Sequence, residues 1–95
     1  MKLIILINTD INNARFICES IQDNVYYWDT CNLCPTEICL NAIIKKFPND
    51  LNTDSNIMVY DLDTFMTMMN DQDIDMEKWF MSYVTVEQTT IGEYH

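Results

Sequence analysis

Leu3, Ile4, Ile5, Leu6 and Ile7 form an unbroken aliphatic run near the start of the chain, followed at once by Asn8, Thr9 and Asp10. A strand with one wet face alternates apolar and polar residues. A run without a polar phase requires cover on both faces. The run is far shorter than the roughly 20 apolar residues that cross a bilayer, and no small-residue cleavage site follows it. It is therefore expected to be the central strand of a sheet with helices packed against it. With 95 residues, the chain has room for one domain and one modest core.

Downstream, the pattern alternates between helical and strand periods. Asp10 is placed to cap a helix with Ile11, Ala14, Ile17, Cys18 and Ile21 on one stripe. Asp23 and Asn24 break it, and residues 25 to 29 read as a second strand. After a loop over 30 to 34, Pro35 suits the first turn of a helix, and Glu37 and the Lys45/Lys46 pair suit its positive and negative ends. Pro48 stops that helix near Lys46, and residues 49 to 56 read as a polar connection. A third strand is expected from Ile57 to Tyr60. A short helix from Thr64 to about Met69 follows, capped by Asp61 or Asp63, then a loop from Asp71 to Asp75. A fourth strand is expected from Trp79 to Glu87, with a flexible tail over 88–95. The order β-α-β-α-β-α-β predicts an α/β domain (α+β being the alternative) with one sheet of about four strands and about three helices. Leu3, Ile5, Ile7, Ile17, Leu40, Ile43, Ile44, Val59 and Val84 are its expected core.

The charge balance is lopsided. Fifteen acids face five basic residues, a net charge of −10. Eight of the acids lie between Asp50 and Glu77 with no Lys or Arg among them; Lys78 is the first compensating charge. Acidic disordered chains are poor in apolar residues, but 48% of this chain is hydrophobic, so the acids must coat a folded body. Such a field repels nucleic acid and anionic membranes, steers toward basic partners, and costs stability through self-repulsion. Small size and self-repulsion together lead to the expectation of a homodimer.

Within the acidic stretch, Asp61 and Asp63, then Asp71, Asp73, Asp75 and Glu77, recur at a spacing of two. In extended chain, residues two apart project to one side about 6.6 Å from each other. That is of the order of the separation between successive phosphates on a nucleic-acid strand, whose axial rise is about 3.4 Å. These six carboxylates are the candidate partner-binding residues. A solvated acidic face kept for solubility is the plainer reading of the same residues.

Other chemistry finds less support. Asp71, Asp73 and Asp75 match the first ligands of a calcium loop, but Met76 stands where Gly is needed and Ser82 where a bidentate Glu is needed. Cys31 and Cys34 form a CxxC pair, two of the four ligands of a structural zinc, with no second pair and a sole histidine, His95. The same pair is the basis for a thiol-redox alternative, because Cys34 precedes a helix whose field would lower its pKa. The single glycine, Gly92, provides no phosphate-cradling loop, and no Ser-His or Cys-His machinery is present. No catalytic residue, metal or cofactor is expected, and the cysteines read as reduced thiols of a soluble cytoplasmic protein, in the host cytoplasm if the chain is viral.

A short, glycine-poor, Asn/Ile/Asp-rich acidic domain whose acids gather from Asp50 to Glu77 resembles the small DNA-mimic anti-restriction proteins of T-even phages, the Arn type. The likeness is one of whole-chain character and transfers no individual residue. It implies a dimeric early phage protein that presents carboxylates to a restriction nuclease or another DNA-binding host protein. The expected function is thus a non-enzymatic inhibitor, with no direct contact to nucleic acid or membrane. The alternatives are a small thiol-redox or metal-binding protein using Cys31 and Cys34, and an acidic adaptor module.

Overall fold

The computed structural model describes residues 1–28, 32–51 and 55–88. Four strands and three helices alternate along them: β1 (Lys2–Asn8), α1 (Ala14–Gln22), β2 (Val25–Trp28), α2 (Pro35–Lys46), β3 (Ile57–Asp61), α3 (Leu62–Asp71) and β4 (Trp79–Gln88), with a 3-10 turn over Met76–Lys78. They build the α/β architecture that the sequence predicts, one mixed sheet in the order β2-β4-β1-β3. β1 runs antiparallel to both β3 and β4, whereas β2 lies parallel to β4 at the far edge.

The aliphatic run does what its lack of a polar phase demands. All five residues from Leu3 to Ile7 are at most 1% exposed. Leu3, Ile5 and Ile7 face one side, where Ala14, Ile17, Cys18 and Ile21 of α1 and Cys39 and Ile43 of α2 close the main core. Ile4 and Leu6 face the other side, under Phe65 of α3. Burying each such Leu or Ile side chain stabilises the fold by roughly 1.5–3 kcal/mol. Six of the nine expected core residues are buried; Leu40 and Val59 pack against the core half-buried, and Ile44 is also half-buried. Ser82 is the buried polar residue of β4, and its hydroxyl donates to the Cys18 carbonyl at 2.7 Å. That bond satisfies the hydroxyl and ties β4 to α1.

Helix boundaries differ from the sequence expectation at two places. α1 begins at Ala14, not after an Asp10 cap: the Asp10 amide bonds Asn8 Oδ1 at 2.9 Å, and Asn13 leads into the helix with φ 60°. Asparagine tolerates that left-handed conformation better than most residues, so the chain turns sharply before it coils. α3 starts two residues before Thr64 and ends two after Met69. α2 matches its signals, with Pro35 first, Glu37 in the first turn and both lysines in the last. Gln88, expected to open the tail over 88–95, instead closes β4, and the rest of that tail, 89–95, lies outside the described residues.

Candidate functional site

The six candidate acids sit on the segment that links the edge strand β3 to the central strand β4. β3 ends at Asp61, paired with Leu3 of β1, and α3 starts at the next residue. Asp61 thus becomes the cap residue of α3, with extended backbone (φ −70°, ψ 157°), though its side chain makes no capping hydrogen bond. Asp63 falls in the first turn, where the unpaired amides at the helix start favour a carboxylate. Ten residues of helix span about 15 Å, so Asp71 at the far end stands well apart from that pair. No basic residue in the last turn offsets Asp71 at the negative helix end.

Beyond α3 the chain leaves the helix at Gln72, whose amide bonds the Met68 carbonyl at 2.7 Å. Asp73 and Asp75 lie in the irregular stretch before the 3-10 turn. Asp75 caps that turn, its Oδ1 accepting from the Glu77 amide at 3.1 Å. Lys78 ends the turn, and Trp79 opens β4.

The spacing of two therefore does not give one extended row. Asp61 closes a strand, Asp63 and Asp71 are helical, and Glu77 lies in a 3-10 turn. Helix formation at Leu62 divides the acids into one group at the start of α3 and another at its end. What the groups share is exposure without compensation. Five of the six are exposed and Asp61 is half-buried. Among the described residues the ion pair within reach is Arg15–Glu19 at 3.3 Å, on the far side of the sheet. Lys2 borders a cleft of about 340 Å³ with Met1, Asp61, Leu62 and Asp63, yet closes no ion pair there.

The cysteines divide by environment. Cys34 is exposed at the start of α2, its sulfur 2.9 Å from the Thr36 hydroxyl. That hydroxyl, and next the Glu37 amide, hold its thiol below the usual thiol pKa. Burial pushes the Cys39 thiol up to about 12 and raises Cys18 as well, against a partly opposing bond from Ser82. Cys31, the other half of the CxxC pair, lies outside the described residues. No cluster of three or more metal-ligating side chains occurs among the described residues. No described helix is long and apolar enough to cross a membrane.

One surface went unread in the sequence. Val25, Tyr27 and Tyr83 are 45%, 64% and 42% exposed on the same side of the sheet as Ile4 and Leu6. Val25, Tyr26, Tyr27 and Trp28 are apolar in both strand phases, so periodicity could not say which pair faces out. Comparison with known proteins finds no match to a family model, a curated protein or a solved structure.

Proposed function

We propose that this chain is a non-enzymatic inhibitor that occupies the nucleic-acid-binding surface of a basic DNA-binding or restriction protein in place of DNA. The reading is carried by one observation: Asp61 and Asp63 at the start of α3 and Asp71, Asp73, Asp75 and Glu77 at and beyond its end have no ion-pair partner among the described residues, and all but Asp61 are exposed. A solvated face kept for solubility usually intersperses both signs. A partner whose groove ordinarily binds phosphates can trade its counterions against these carboxylates instead. The mimicry is of charge density at the two ends of α3, and not of an evenly spaced strand of phosphates.

The test is capture of a DNA-binding protein from host lysate and its release by duplex DNA. Replacing Asp71, Asp73 and Asp75 by Asn and Glu77 by Gln keeps shape and removes four charges. Affinity should fall on the order of tenfold to a hundredfold, and the salt dependence should flatten. A captured partner that binds the fourfold variant as tightly as wild type would sink the reading. The thiol-redox alternative draws on the exposed, acidified Cys34 thiol. Cysteine-dependent turnover in a dithiol assay, lost in Cys34→Ser, would put that alternative ahead.

A further inference from the structure

α3 packs on β1 and β3, so it covers only part of its face of the sheet. No described residue covers the half over β4 and β2. There Tyr83 lies opposite Ile4, Thr85 lies between Val25 and Lys2, and Glu87 lies beside Tyr27. The alternation of β4 fixes the direction of these side chains: Val84 and Val86 enter the main core, so Tyr83, Thr85 and Glu87 point the other way. Val25, Tyr27 and Tyr83 thus lie exposed near one another on two adjacent strands, around Thr85 and Glu87, and large apolar and aromatic side chains grouped on a surface mark an interaction site. Tyrosine is the residue type that anchors such surfaces.

The charges on the patch select its occupant. A second copy of a body with net charge −10 is repelled over most of its surface. This window differs, because its two charged residues, Lys2 and Glu87, are opposite in sign and diagonal neighbours across β1 and β4. Neither forms an ion pair with a described residue. Laying the patch against its own copy about a two-fold axis lets Lys2 of each chain reach Glu87 of the other. The same packing buries Val25, Tyr27 and Tyr83 of both. We propose that the uncovered β4–β2 half of the sheet is a self-complementary interface that pairs two copies of this chain face to face.

The interface is independent of the inhibitor reading, and salt separates the two. Binding of a cationic partner weakens as salt rises, whereas pairing of two acidic bodies through an apolar face holds or tightens. Sedimentation equilibrium of the full chain at low and high salt is the experiment. Wild type should show twice the 11.3 kDa of one chain. Tyr27→Ser/Tyr83→Ser should weaken association by about tenfold or more, since buried aromatic anchors dominate interfaces. Lys2→Glu alone should weaken it too, and Lys2→Glu/Glu87→Lys should restore it. Tyr27→Ser by itself, at a residue 64% exposed, keeps the test decisive where the double variant fails to fold. A wild-type monomer up to about 1 mM, the weak end of specific association, would overturn the proposal. So would dissociation on raising salt, a dimer indifferent to the tyrosines, or a charge-reversed pair as weak as Lys2→Glu alone.

Discussion

On one side of β1, Leu3, Ile5 and Ile7 lie under two helices that bring six buried side chains of their own. On the other, Ile4 and Leu6 lie under a single helix whose one buried residue is Phe65. The first side is aliphatic and closed. The second is filled by half-buried Met58, Tyr60, Met76, Trp79 and Met81, and no described residue covers it toward β2. Most of the candidate acids go with the open side: Asp63 and Asp71 lie on α3, and Asp75 and Glu77 at the 3-10 turn that follows it, whereas Asp61 closes β3. The domain thus concentrates its burial on one face and leaves the other less completely covered, and it is on this second face that the proposed self-pairing surface lies.

The largest expected effect comes from opening the closed side. Ile17→Ala removes a fully buried side chain of α1 and should cost about 2–5 kcal/mol in urea unfolding. A loss below about 1 kcal/mol, the range of ordinary surface changes and small core adjustments, would break the comparison, because it would mean that α1 does not carry the core.

Next comes the alkaline limb of stability. The Cys39 thiol is held neutral in the fold up to about pH 12, but in the unfolded chain it ionises near its ordinary value of 9.0. Above that value the folded state binds the extra proton. Stability from this group is full below pH 9 and is lost as pH rises toward 12, at a limiting slope of about 1.4 kcal/mol per pH unit. Cys39→Ala should flatten the decline measured between pH 9 and 11. An unchanged slope would show that the closed side admits solvent at α2.

The smallest effect belongs to the open side. Met66→Ser, on the exposed flank of α3, should leave unfolding free energy within about 0.5 kcal/mol of wild type. A larger loss would show that α3 is packed more deeply than its single buried anchor indicates, and would narrow the difference between the two faces.

Much of the fold was legible because its signals are local. The aliphatic run of β1, the stripe of Ala14, Ile17, Cys18 and Ile21, and Pro35 with its Glu37 and lysine flanks each specify one element from its own residues. Asp10 misled because its side chain type suits a cap, but the cost of turning the chain was met by Asn13 instead. The acids were legible in number and sign, and their exposure followed from the need to keep uncompensated charge in water. Their arrangement was not legible, because a spacing of two has meaning only in extended chain.

The sequence by itself determined a doubly covered central strand, the alternation of helices around it, and a strongly negative surface. All three depend on residue type and short-range period, which the chain carries wherever it goes. Only the tertiary structure decided that β3 pairs on one side of β1 while β4 and β2 extend the sheet on the other. That strand order is set by long-range pairing, and it sends α3 back over the β3 edge. From it follow the exposure of Tyr27 and Tyr83 and the division of the acids between the two ends of a helix. No local pattern records where a helix lands, so no local pattern could have recorded what it leaves uncovered.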